Sequence, residues 1–160
     1  MGGDGGPGTS AALDSPEGAA VDGTGNVLLA DLFNNRIRVV AATSGTFYGQ
    51  VMKAGDIYTV AGDGTQGFAG DGGPATGAEL HWPYDVTVDG AGNLVFCDAG
   101  NNRIRVVAAK AGTFYGVPMT AGNIGTVPAQ GSPGSPGTAA RPSTRASTSR
   151  PASWPPLRAC

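Results

Sequence analysis

The sequence predicts an all-β protein in which one four-stranded unit occurs twice, followed by a C-terminal segment with little to bury. Three observations carry this reading. The heptapeptide Asn-Asn-Arg-Ile-Arg-Val-Val stands at Asn34–Val40 and again at Asn101–Val107, an offset of 101 − 34 = 67 residues. Aligned on that offset, residues 3–60 and 70–127 agree at 35 of 58 positions without a gap, so both copies obey one structural rule. The composition, with 28 Gly, 12 Pro and 14% charged residues, suits short strands joined by tight turns better than long helices.

Each unit opens on Gly-Asp-Gly-Gly-Pro (Gly3–Pro7, Gly70–Pro74), whose turn-forming residues read as a link. The first strand is expected at Gly18–Asp22 and Asp85–Asp89, with a proline before it and Asp-Gly closing it. The second spans Asn26–Asp31 and Asn93–Asp98. The third begins at Arg36 and Arg103; its alternation puts Ile37 and Val39 on one face and the arginines on the other. A hairpin through Gly45–Gly49 and Gly112–Gly116 precedes the fourth, at Ile57–Val60 and Ile124–Val127. Four strands per unit with an Asp-Gly-rich link is the pattern of a β-propeller blade. The 67-residue repeat exceeds the common ~40–50, and the excess sits between strands three and four. The domain division is residues 1–69 and 70–127 as two blades, then 128–160 as a disordered Pro/Ser/Arg-rich tail.

These residues also carry a family resemblance. Pro16-x-x-x-x-Val21-Asp22-Gly23-x-Gly25-Asn26, then Asp31 or Asp98, then Asn-Arg-Ile-Arg-Val-Val, resembles the NHL repeat of β-propellers. The Gly70–Thr76 link and the Gly-Thr-Phe-Tyr-Gly hairpin are similar to bacterial multi-blade NHL proteins and to the NHL region of teneurins. The resemblance covers about residues 3–127. It implies a propeller of about six blades used to bind partners, and it implies no chemistry, because the fold hosts many functions. Its relatives are often extracellular. The N-terminus lacks the charged and apolar regions of a signal peptide, so localisation stays open.

Candidate site residues are structural. Arg36 and Arg103 are expected to hydrogen-bond to Asp31 and Asp98 at the adjacent strand end, with Asn35 and Asn102 completing the turn. The competing reading, a basic stripe of Arg36, Arg38, Arg103 and Arg105 for nucleic acid, fails because two charges per unit beside 12 carboxylates make a poor phosphate track. Gly62-x-Gly64-x-x-Gly67 matches a dinucleotide motif, but the Gly-Gly-Pro that follows forbids the helix that motif needs. Asp4, Asp63 and Asp71 beside flexible glycines invite a calcium reading; the absence of EF-hand spacing or a closing Glu favours ordinary turns. His81 is the only histidine, and Ala19–Val21 and Val86–Val88, which would line a propeller channel, bring no metal ligand. No catalytic residue, cofactor or metal is assigned. No stretch reaches the ~20 apolar residues of a membrane helix. Cys97, standing where the first copy has Ala30, reads as a small buried thiol.

The expected function is non-catalytic: a scaffold binding a protein or glycan ligand, or a truncated product without function. The alternatives are a fragment of a propeller hydrolase or lyase whose catalytic residues lie on other blades, and a carbohydrate- or surface-binding module assembled from further copies of itself. Two blades cannot close a ring, so the chain is expected to be marginal, oligomeric or aggregation-prone at open edges. The tail reads as a third unit translated out of frame. Gly62, Gly64, Gly67, Gly70, Gly72 and Gly73 map, 67 residues on, to Ala129, Gly131, Gly134, Gly137, Ala139 and Ala140, whose codons all begin with G. A one-base loss near Val127–Pro128 turns glycine codons into such codons, and Gln130, opposite Asp63, is a failure of the mapping. The coding DNA, read in the alternative frame after Val127, should continue with Asp-Gly and Asn-Arg-Ile motifs; any other sequence there rejects the frameshift.

Overall fold

The computed structural model describes residues 2–128, so the expected tail lies outside the described residues except for Pro128. The chain is all-β, with no α-helix among the described residues. The strands are β1 (Gly6–Pro7), β2 (Pro16–Val21), β3 (Val27–Asp31), β4 (Arg36–Val40), β5 (Gly45–Phe47), β6 (Gln50–Met52) and β7 (Asp56–Ala61). Then follow β8 (Pro83–Val88), β9 (Leu94–Asp98), β10 (Arg103–Val107), β11 (Gly112–Phe114), β12 (Val117–Met119) and β13 (Ile124–Thr126). Two antiparallel sheets, β1-β7-β4-β3-β2 and β13-β10-β9-β8, each carry a small hairpin, β5-β6 or β11-β12. No described helix is long and apolar enough to cross a membrane.

The register repeats with the sequence. Ala30 opposes Ile37 and Leu28 opposes Val39 in the first sheet; Cys97 opposes Ile104 and Val95 opposes Val106 in the second. In both sheets the first strand breaks register after its opening proline, at Pro16 and Pro83.

One element departs from expectation. The Gly-Asp-Gly-Gly-Pro segment is more than a link: Gly6 and Pro7 pair with Ile57 and Asp56 and extend the sheet beyond β7. The second copy makes the corresponding bridge from Pro74 to Asn123. Proline is acceptable there because an outermost strand can leave its missing donor facing away from the ladder.

The turns explain why the chain reverses where it does. Asn35 and Asn102 hold left-handed backbone at φ 50° and 53°, a conformation that asparagine tolerates better than most residues. Tyr48–Gly49 and Tyr115–Gly116 both have positive φ at each central position, the type I′ geometry that matches strand twist in two-residue hairpins.

The core lies between the sheets. Leu28, Ile37 and Val39 of the first form one buried cluster with Val86, Leu94, Phe96 and Val107 of the second. Gly18 of β2 sits against β8 so closely that a Cβ there would lie 2.6 Å from the Asp85 Cα. The tip of the first hairpin meets the second unit in the same way, with Gly49 against Gly122. The expected alternation in β4 therefore holds, but its second face is not a solvent face. Arg38 is only 1% exposed, as buried as the Ile37 and Val39 beside it. Cys97 is fully buried, as expected.

Candidate functional site

The most concentrated polar chemistry is a buried arginine network that occurs once per unit. In the first, Arg38 Nη2 lies 2.8 Å from Asp4 Oδ1 and Nη1 lies 3.4 Å from Asp31 Oδ2. In the second, Arg105 makes the same pairs with Asp71, at 2.8 Å, and Asp98, at 3.5 Å. Thr59 and Thr126 each donate a hydroxyl to the outer carboxylate. Asp31 also accepts from the Asp14 N–H and the Asn34 side chain, and Asp98 accepts from the His81 N–H and Asn101. A fully buried carboxylate is tolerable only with partners of this kind.

The partner of Asp31 and Asp98 is therefore not the arginine that the sequence suggested. Arg36 and Arg103 share a strand face with Arg38 and Arg105, but they lie at the strand end and reach elsewhere. Arg36 donates to the Asp63 carbonyl and, at 3.5 Å, to Thr59. Arg103 is exposed, its guanidinium 4.2 Å from the centre of the Phe68 ring. Asn35 accepts from the Trp82 N–H at 3.1 Å and so ties the turn of the first unit to the start of β8. Asn102 is exposed at the corresponding turn. The structure thus brings Asp31 and Asp98 into networks with Arg38 and Arg105, and holds Arg36 and Arg103 outside them.

A second network went unread in the sequence. Asp22 accepts from the backbone N–H groups of Thr24 and Asn26 and from the Thr24 hydroxyl and Asn26 amide. The fully buried Asn26 in turn accepts from the Ala42 N–H, and Tyr48 donates to Asp22 at 3.3 Å. Asp89, Asn93, Ala109 and Tyr115 repeat this arrangement. Burial alone would raise the Asp22 pKa, but the donors from Thr24 and Asn26 outweigh it and hold the carboxyl below its ordinary value. Burial and the neighbouring Asp22 carboxylate push the Tyr48 phenol well above its usual range, and Tyr115 is raised by burial and Asp89. The recurrence of Asp-Gly-x-Gly-Asn with Phe-Tyr-Gly was the available signal; asparagine's usual role in turns masked it.

The carboxylates considered for calcium are engaged by protein groups. Asp4 and Asp71 hold the arginines, and Asp63 accepts from the Thr65 N–H within its own turn. Among the described residues no group of three or more His, Cys, Asp or Glu side chains is placed to hold a metal ion. The glycines of the dinucleotide-like motif serve close packing: a Cβ on Gly64 would sit 2.8 Å from Arg36 Nη2. His81 lies across Gly100, and its buried Nε2 has no hydrogen-bond partner.

The exposed large apolar side chains include Val51 (81%) and Val21 (65%) and several aromatics. Phe33 (55%), Trp82 (47%) and Tyr84 (42%) lie where the β3–β4 turn meets the start of β8. The Phe33 N–H reaches the Asp14 carbonyl, and Trp82 is tied to Asn35 two residues further along that turn. Comparison with protein-family models finds no match for the chain, and comparison with curated proteins finds none.

Two measurements check the networks. Replacing Arg38 by Met strands the buried Asp31 carboxylate and should lower unfolding free energy in urea by about 3–5 kcal/mol. Arg36→Met should lower it by about 1 kcal/mol, and the reverse order would reject the assignment. Because Asp22 has a lowered folded pKa, it stabilises the chain above the unfolded value of about 3.9. That contribution disappears as pH falls through the folded pKa. The melting temperature of the parent should therefore drop more steeply than that of Asp22→Asn below about pH 4; parallel curves would contradict this.

Proposed function

We propose that the chain is a segment of an NHL-type β-propeller and works as a non-catalytic scaffold that binds a protein or glycan. The blade reading draws support from the sequence motifs, from four strands plus an added edge strand in the first unit, and from packing of β2 against β8. The observation that carries the binding role is a contrast between what the two copies share and what they do not. The buried Arg, Asp, Asn and Tyr of the networks recur at the same positions in both copies, whereas Phe33, Trp82 and Tyr84 face Gly100, Ser15 and Glu17 in the other copy. The scaffold repeats, and Phe33, Trp82 and Tyr84 are particular to one junction.

Aromatic faces with polar tips are the groups that stack on sugar rings or anchor apolar peptide side chains. Trp82 is also held at φ 53°, a conformation that bulky residues rarely adopt. Ser15 has the same φ of 51°, so the repeat imposes this backbone and the tryptophan is presented on it.

Glycan and peptide arrays probed with the full chain and with Trp82→Ala/Tyr84→Ala test the proposal. Binding to a ligand of either class should weaken at least about tenfold in the double variant, the loss of one buried anchor. Equal binding by both proteins, or none by the parent, would count against it.

A further inference from the structure

We propose that a second copy of this chain docks head to tail on the open face of the first sheet, repeating between chains the contact that joins the two sheets within one. This rests on the stacking of the sheets and not on the proposed binding role.

Within the chain, Leu94, Phe96 and Val107 of the second sheet are covered by the first. Their counterparts 67 residues earlier are Val27, Leu29 and Val40, which form the same kind of face on the first sheet. That face is open: Val27 is 37% exposed and the adjoining Val21 is 65% exposed, where Leu94 is 0%. On the opposite surface Val95 and Val106 are buried like their counterparts Leu28 and Val39, and Ile104 is the residue that differs. Ile37 is fully buried beneath the second sheet, while its counterpart Ile104 is only partly buried.

Two specific contacts of the internal junction have both counterparts ready. Asn35 accepts the Trp82 N–H, and the equivalent residues Asn102 and Ser15 already hold matching left-handed backbone, at φ 53° and 51°. Gly49 touches Gly122, whereas their counterparts Gly116 and Gly55 would each accept a Cβ with nothing within 4 Å. At the inner strands Gly18 packs on Asp85, and these two are each other's counterparts; between copies Asp85 meets Gly18, so the inner strands there sit further apart than within the chain. The surfaces that would meet are different patches of the chain, so the contact is heterologous, and it gives rings or open arrays instead of a symmetric pair.

Sedimentation velocity of the full chain across the micromolar range tests this, with Val21→Glu/Val27→Glu blocking one face and Ile104→Glu the other. The parent should gain mass with concentration, and each variant should associate at least about tenfold more weakly. Mixing the two variants should restore a one-to-one pair, because each keeps the face that the other lacks. A parent that stays a single chain throughout overturns the proposal, whatever the variants do. So does a Val21→Glu/Val27→Glu variant that associates like the parent. A mixture that forms no pair also overturns it, including the case of a symmetric dimer.

Discussion

A buried guanidinium sets the terms for each unit. Arg38 and Arg105 are taken out of water in the middle of a third strand, and a cation there survives only if carboxylates come to it. One of them, Asp31 or Asp98, is supplied by the neighbouring strand end; the other, Asp4 or Asp71, comes from the glycine-rich segment that opens the unit. That second requirement draws the opening segment across the sheet. In the first unit it places Gly6 and Pro7 beside β7, and Thr59 of β7 donates to the same Asp4 carboxylate. Strand pairing and charge pairing specify the same register.

The apolar pattern then decides how the units meet. Period-two alternation gives each sheet two faces, and the first sheet lays Leu28, Ile37 and Val39 on the second sheet's Leu94, Phe96 and Val107. Small residues let the backbones approach. Gly18 and Gly49 sit at junctions where a side chain would collide with Asp85 or crowd Gly122. The abundance of glycine thus serves close packing as well as turns.

Much of this was legible in the sequence. The alternation of Arg-Ile-Arg-Val, bounded by Asn-Asn, placed β4 and β10 and identified Ile37 and Val39 as core. Four strands per unit followed from Pro and Asp-Gly punctuation, and Phe-Tyr-Gly marked the hairpins. The identity of the buried arginine was not legible. Arg36 and Arg38 are two residues apart and share a strand face, so periodicity cannot say which lies over a carboxylate. Asp4 is 34 residues away from Arg38, and no local rule links them. Gly-Gly-Pro was read as a turn because its composition is that of a turn; its pairing depends on β7, which follows about fifty residues later. Asn26 and Asn93 are fully buried for a similar reason, since their partners Ala42 and Ala109 lie 16 residues on.

The pairing of β1 with β7 also bears on how the chain acquires its structure. Asp4 and Thr59 are separated by 55 residues, so the first sheet is sealed by its first and last segments. Hairpins β2-β3 and β3-β4 can close early over short loops, whereas the arginine's outer carboxylate arrives only when a long loop closes. During synthesis the polar interior of the first unit stays incomplete until Thr59 and its strand have emerged. A pause or cleavage before that point leaves Arg38 without Asp4 bridged to β7, and hence an unfinished sheet with an unsealed edge.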